Sequence, residues 1–125
     1  MGILAAGSPG VEVWDDLDPR PSDFYITKRR GSAFFGTDLE LLLRHYGRDT
    51  VAIGGISTHQ GVESAVRDGR DRDFNMVVLA DGCSANPPEF HDYAIAKILP
   101  RYARVRTVDQ VLAQIEDFLQ RWPGR

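Results

Sequence analysis

The sequence is poor in cysteine, since Cys83 is the only one among 125 residues. A single thiol cannot form an internal disulfide, and three scattered histidines without a second cysteine match no zinc-ligand spacing. We therefore expect no structural metal. Cys83 follows an apolar run, so it is expected to be a small buried residue and not a reactive thiol.

Long apolar runs and a basic excess are also missing. No run approaches the roughly 20 apolar residues that a membrane helix requires, and the N-terminus lacks the basic start and apolar core of a signal peptide. The chain has 15 Lys and Arg and 18 Asp and Glu, so its net charge is -3. It therefore lacks the basic excess that is typical of proteins that bind nucleic acid. We expect no membrane or nucleic-acid partner and a cytoplasmic location.

Short apolar runs that are typical of β-strands recur at intervals of 27, 25 and 27 residues, beginning at Phe24, Val51, Met76 and Ala103. Such spacing is typical of βα units in a single domain of this length. It predicts an α/β fold of three layers, in which helices cover both faces of a mostly parallel, Rossmann-like sheet (αβα). The predicted strands cover residues 24–27, 50–56, 75–80 and 103–106.

Helix signals lie between these runs. Thr37 with Glu40 forms a capping-box pattern, and Gly47 is placed as the C-terminal cap of the helix that follows. The pair Pro87-Pro88 suits the first turn of another helix. Residues 1–23 contain turn-forming glycine and proline clusters and are interpreted as an irregular lead-in.

The last helix begins with a second capping-box pattern, Thr107 with Gln110. Its apolar residues recur at helical spacing, so we expect them to face a core. These residues are Val108, Val111, Leu112, Ile115, Phe118, Leu119 and Trp122.

The stretch GGISTHQGVESA, residues 54–65, has the layout of a binding site. It is interpreted as a strand end, a tight turn and a helix start, the junction at which α/β proteins bind ligands. Four polar residues crowd the turn, yet Gly61 occupies the mouth of the helix, where a nucleophile would be best placed. The four are Ser57, Thr58, His59 and Gln60.

Each candidate also has an ordinary interpretation. His59 is a possible general base, with an unperturbed pKa of about 6.5, but a lone turn histidine more often makes surface hydrogen bonds. Lys28 at a strand end suits an anion, although such lysines are usually solvated. Residues 81–83, Asp-Gly-Cys, are interpreted as a turn. Neither GxGxxG nor a P-loop is present, so no cofactor is expected.

Taken in order, three segments resemble the isochorismatase-like hydrolase superfamily, which includes cysteine amidohydrolases such as nicotinamidases. ITKRRGSAFFGTDLELLLRHYG is similar to the family's lysine strand, Phe-x-Gly-Thr turn and helix. GGISTHQGVESAVRDGRDRDFNMVVLADGCSA is similar to the nucleophile turn, helix and next strand. LPRYARVRTVDQVL is similar to the last strand and helix of one branch.

The resemblance implies roles for particular residues. Lys28 takes the place of the catalytic lysine, and Gly61 that of the cysteine nucleophile. The backbone amides of Ser57 and Gly61 correspond to the oxyanion hole, and the bond between Ile56 and Ser57 is expected to be cis. Substrate-binding positions fall on Phe35, Thr58, His59 and Gln60.

The resemblance also implies what the glycine means. Enzymes that cleave isochorismate have glycine at this position and a histidine two residues before it, as His59 precedes Gly61. They need no thiol, because an acid protonates the vinyl ether and water completes the cleavage to pyruvate.

The family's acid or base, an aspartate that ends the first and central strand, has no counterpart here. The chain is therefore expected to correspond to the latter part of the domain. One hypothesis is a hydrolase of a small acid, vinyl ether or amide. The other is an inactive or truncated member that serves as a small-molecule-binding or oligomerisation module. A missing central strand also leads us to expect a homo-oligomer.

Overall fold

The computed structural model describes residues 5–124. Its centre is a parallel three-stranded sheet in the order β1-β2-β3. The strands are β1 (Thr50–Ile56), β2 (Asn75–Ser84) and β3 (Arg104–Arg106). The helices are α1 (Leu39–His45), α2 (Glu63–Asp71), α3 (Pro88–Tyr93) and α4 (Val108–Arg121). The predicted α/β class and parallel sheet are confirmed.

The core lies on one face of this sheet. Val51 pairs with Met76 and Ile53 with Val78, so these four side chains point to the same side of the sheet. Met76 and Val78 are buried there against the α2 face that carries Val66. The strand spacing predicted from the sequence therefore places the apolar residues in one layer between sheet and helices.

The predicted strand over residues 24–27 is wrong. This segment is extended but pairs with no strand among the described residues, and Phe24 and Tyr25 are exposed. The Phe24 ring packs beside Tyr46, with ring centroids 5.4 Å apart. An apolar run gives β propensity, but a strand also needs a backbone partner.

The predicted turn over residues 81–83 is also wrong, because β2 continues to Ser84. Register between β1 and β2 shifts at this point, since Ile53 pairs with Val78 whereas Gly55 pairs with Cys83. The backbones approach closely: a Cβ on Gly54 would lie 2.7 Å from the carbonyl oxygen of Gly82. Glycine at position 54 thus permits the irregular pairing.

The capping box of α4 is confirmed. Gln110 N donates to Thr107 Oγ1 at 3.2 Å, and Thr107 N donates to Gln110 Oε1 at 3.0 Å. Val108 and Val111 are partly buried, but the expected burial of the rest of its apolar face is wrong. About half of each side chain is exposed at Leu112, Ile115, Phe118, Leu119 and Trp122.

Within the predicted lead-in, residues 5–23 contain two short 3₁₀ turns, Pro9–Val11 and Asp15–Leu17, and residues 1–4 lie outside the described part. α1 begins at Leu39, and no side chain caps it at Asp38. The predicted capping box of Thr37 and Glu40 is wrong, because the Glu40 carboxylate accepts from Arg44 and Arg72. The Thr37 hydroxyl accepts from the Leu39 amide at 3.3 Å and donates to the carbonyl of Ala33 at 2.6 Å. Among residues 5–124, no helix is both long and apolar enough to cross a membrane.

Candidate functional site

The turn that follows β1 is a π-helical turn over residues Thr58–Val62, which leads directly into α2. The peptide bond between Ile56 and Ser57 is cis, as the resemblance implies. The Ser57 carbonyl accepts hydrogen bonds from the amides of Gln60, at 3.1 Å, and Val62, at 3.3 Å. The strand-turn-helix junction predicted for residues 54–65 is therefore present.

Lys28 and Gly61 lie together. A Cβ built on Gly61 would lie 3.3 Å from Lys28 Nζ and 3.5 Å from the carbonyl oxygen of Gly31. Lys28 Nζ donates to that same carbonyl at 3.2 Å. Lys28 does not end a strand, but the ammonium still faces the place that a side chain at position 61 would occupy.

A partly buried hydrogen bond from Ser32 to Asp68 attaches the loop that carries Lys28 to α2. The hydroxyl of Ser32 donates to Asp68 Oδ2 at 2.7 Å and accepts from the Phe34 amide at 3.1 Å. Arg72 Nε donates to the other oxygen of Asp68 at 2.8 Å. Since Gly61 enters the same helix, these bonds fix the loop relative to the glycine.

A second arginine network joins α1 to α2. Glu40 accepts hydrogen bonds from Arg44 at 2.9 Å and from Arg72 at 2.7 Å. The hydrogen bonds from Arg44 and then Arg72 hold the pKa of Glu40 below its ordinary value. The carboxylate therefore stays charged. It connects α1, which follows the Lys28 loop, to the end of α2, which follows the turn that contains Gly61.

Thr58 is fully buried, and its Oγ1 lies at hydrogen-bond distance, 2.8 Å, from Nδ1 of His91 in α3. The side chain thus ties the turn to α3. Its predicted substrate contact stays a prediction. Sequence reasoning missed His91, because 33 residues separate the two partners and no local spacing signals the pair.

His59 carries an unpaired polar atom. Its Nδ1 is buried and has no hydrogen-bond partner among the described residues. The ring stacks at an angle on Phe90, with centroids 4.7 Å apart. A buried ring nitrogen without a partner is costly, so this atom is available to a ligand group that enters the site.

The remaining predicted positions lie further out. Gln60 is exposed, as is Phe35, which lines a shallow depression of about 600 Å³ beside Gly31 and Arg67. This depression does not include Lys28, His59 or Gly61. Substrate binding by Phe35 and Gln60 therefore remains a prediction.

Cys83 pairs across the sheet with Gly55, one strand away from the turn. Burial raises the pKa of its thiol above the ordinary value, although a hydrogen bond with the Gly55 backbone opposes the shift. Nearby, Asp81 accepts a hydrogen bond from the Val108 amide at 2.8 Å and so caps α4. In the described residues no three His, Cys, Asp or Glu side chains cluster as metal ligands.

Comparison with known proteins gives consistent matches. The sequence matches the isochorismatase domain model over residues 1–110. It is 50% identical over 96 residues to the uncharacterized isochorismatase family protein YecD of Escherichia coli O157:H7, with 77% of this chain and 51% of YecD covered. It is 41% identical over 88 residues to the ureidoacrylate amidohydrolase RutB of Pantoea ananatis, with 70% and 35% covered.

Among solved structures, the cysteine hydrolase of Pseudomonas syringae pv. phaseolicola 1448A superimposes with a TM-score of 0.86 at 29% identity. That match covers 92% of this chain and 59% of the hydrolase. The chain thus spans between about a third and three fifths of the length of these three proteins.

Proposed function

The chain belongs to the isochorismatase family, and from this membership we propose that it acts as a hydrolase on a small carboxylic acid that carries a vinyl ether. The observation that carries the proposal is the position of Lys28 Nζ, 3.3 Å from the place of the missing Gly61 Cβ. A cation, and no thiol, therefore lies at this position. The pair suits a substrate carboxylate held by a charge-assisted hydrogen bond.

The chemistry needs no covalent intermediate with the protein. An acid protonates the methylene carbon of the vinyl ether, and water adds to the resulting oxocarbenium carbon. The acid's proton stays in the methyl group of pyruvate, and the water loses one proton as it adds, which restores the acid. The hemiketal then collapses to pyruvate and an alcohol as its hydroxyl proton passes to the leaving oxygen. Lys28 binds the carboxylate, and the buried Nδ1 of His59 is positioned to hydrogen-bond a substrate oxygen or the attacking water.

We propose that the proton donor is an aspartate from a partner chain or from a position that the family pattern does not identify. We also propose that a second copy of the chain covers the open edge of the sheet in a homo-oligomer. In support, β1 forms an edge of the sheet and has no strand beside its outer side among residues 5–124. An exposed parallel edge leaves backbone groups unpaired.

An amidohydrolase is the less favoured enzyme. RutB, which is named for amide hydrolysis, supports it by similarity. Gly61 offers no nucleophile, however, and the burial of Cys83 raises its thiol pKa, which disfavours the reactive thiolate. The glycine at position 61 favours a second candidate, an inactive module that binds a small acid or mediates assembly.

The deciding experiment measures pyruvate released from isochorismate by the purified chain, with lactate dehydrogenase and NADH as the reporter. We expect turnover that iodoacetamide does not abolish and that Lys28→Ala lowers. Arg29→Ala, which removes the same charge from the neighbouring position, is the matched control and should retain activity.

Three outcomes would decide against the proposal. Turnover of an amide that is lost on alkylation would restore a thiol mechanism. Equal loss in Lys28→Ala and Arg29→Ala would remove the specific role of Lys28. Binding of isochorismate without any turnover, in a chain shown to be folded, would favour the inactive module.

A further inference from the structure

We propose that a second site, at the opposite end of the sheet, binds a small phosphate-bearing anion. A cavity of about 210 Å³ lies where β2 and β3 begin, since Asn75 and Arg104 both line it. The turn that contains Gly61 follows the end of β1. Because the strands are parallel, one site lies at the N-terminal ends of the strands and the other at the C-terminal ends.

Three arginines line this cavity: Arg70, Arg101 and Arg104. No acidic residue is among the lining residues, and none of the three forms an ion pair with a described residue. Three arginines thus place positive charge around one small cavity, and an anion bound there would neutralise it. The uncompensated charge therefore points to an anionic ligand.

The sequence around these arginines differs from that around the arginines that form ion pairs. Each arginine in an ion pair of one helical turn has an acid four residues before it: Glu40 before Arg44, Glu63 before Arg67, Asp68 before Arg72 and Asp117 before Arg121. Of the three cavity arginines only Arg70 lies in an α-helix, and the residue four before it is Val66. None of the three therefore has an acidic partner among the described residues.

The backbone that carries two of the arginines is firmly held. Arg101 ends a 3₁₀ turn that begins at the fully buried Leu99, whose carbonyl accepts from the amides of Tyr102, at 3.0 Å, and Ala103, at 2.9 Å. Arg104 is paired with Val77 in the sheet. Such anchoring reduces the entropy lost when a ligand is bound.

The neighbouring side chains are ordered as well. Arg67 stacks on the Tyr102 ring, 4.2 Å from its centroid, and donates to its hydroxyl at 2.6 Å. Arg70 donates to the Tyr102 carbonyl at 3.4 Å. Phe74 and Met76, both buried, form the apolar wall. The cavity is thus lined by buried apolar side chains on one side and by arginines on the other.

Size and charge define the ligand class. The volume is below the roughly 300 to 1,000 Å³ of pockets for drug-sized ligands, so it suits a phosphate group and little more. Guanidinium groups match phosphate oxygens in geometry and charge. The net charge of -3 of the whole chain disfavours an extended polyanion such as nucleic acid.

The test is isothermal titration calorimetry of the purified chain with inorganic phosphate at constant pH and 150 mM chloride. We expect one phosphate per chain, and Arg101→Gln/Arg104→Gln should weaken binding by at least about tenfold. Arg20→Gln/Arg121→Gln removes the same charge away from the cavity and should bind as the wild type does. Circular dichroism of both variants checks that they fold.

Glycerol phosphate and citrate are titrated in parallel. Tighter binding of glycerol phosphate than of inorganic phosphate supports the site with a phosphate ester as its ligand, and the reverse supports it with the free ion. Stronger binding of citrate than of either would overturn the phosphate assignment. No saturable binding by the folded wild type, or equal weakening in both double variants, would overturn the site itself.

Discussion

Lys28 Nζ lies 3.3 Å from the position that a Cβ on Gly61 would occupy. A glycine and a lysine 33 residues earlier therefore meet in one place, although the lysine lies on an irregular segment and not on a strand. The relationship makes position 61 a probe of the local charge. A thiol introduced there would face the ammonium group at the start of a helical segment.

Gly61→Cys in a Cys83→Ser background is expected to react rapidly with iodoacetamide near neutral pH. An adjacent cation and a helix N-terminus favour the thiolate, so its pKa should fall at least about one unit below the ordinary 8.5. The pH dependence of the alkylation rate measures this pKa.

Adding Lys28→Met to that double variant removes the cation and should raise the thiol pKa again. An unchanged pKa would show that the Lys28 ammonium does not act on position 61. Amide turnover should stay low in both variants, because the family's aspartate base has no counterpart in the sequence.

Ser32→Ala is expected to destabilise the protein by about 1 to 2 kcal/mol, because it removes a partly buried bond to Asp68 and the acceptor of the Phe34 amide. Urea unfolding measures the loss. Ser22→Ala, on an exposed segment, is the control and should have little effect. Equal stability of the two variants would mean that the Ser32 bonds do not hold the Lys28 loop.

Local signals predicted parts of this fold well, and tertiary pairing explains the failures. The Thr107 cap depends on residues within one turn, and Gly47 takes the positive φ of 62° that its predicted capping position requires. The 24–27 segment has strand propensity but no neighbour to pair with. Propensity alone could not reveal that absence.

The site was predicted less completely than the fold. Ser57 to Gly61 form a recognisable junction, but the neighbourhood of Lys28 and Gly61 followed from family resemblance and not from spacing. The contact between Thr58 and His91 joins the turn after β1 to helix α3, which is distant in sequence. Contacts of this kind depend on how α3 folds back over the turn, which no local pattern reports.

Gly69→Ala tests the packing of α2 on the sheet. The added methyl would lie 2.6 Å from Met76 Sδ and 2.8 Å from Phe34 Cε2, so the core must shift. Overpacking costs about 1 to 3 kcal/mol and should outweigh the helix-propensity gain of up to about 1 kcal/mol. Urea unfolding should show a net loss of stability.

Met76→Val, which opens space beside position 69, should recover part of this loss in the double variant. The two substitutions would then be clearly non-additive. Simple additivity of their effects on the free energy of unfolding would contradict the close contact between Gly69 and Met76.

The exposed face of α4, defined here as Leu112, Ile115, Phe118 and Leu119, offers a test of assembly. If a second copy covers this face, Ile115→Glu/Leu119→Glu should raise the dissociation constant of the oligomer by at least about tenfold in analytical ultracentrifugation. Gln114→Glu/Gln120→Glu adds the same charge and should leave assembly intact. A monomeric wild type at micromolar concentration, with cooperative thermal unfolding, would contradict the proposed homo-oligomer.

Cys83 should react slowly with iodoacetamide between pH 7 and 8. Burial raises its thiol pKa above the ordinary value, so at any pH in this range the reactive thiolate is a smaller fraction than in an exposed cysteine. As pH rises, the alkylation rate should therefore increase at a lower pH in the unfolded chain than in the folded one. The measurement compares alkylation rates in buffer and in 8 M urea across this range.

Cys83→Ser should retain any hydrolytic activity, because the thiol lies one strand away from Gly61 and is not part of the proposed chemistry. Fast alkylation of the folded chain together with loss of turnover would instead identify Cys83 as the reacting group.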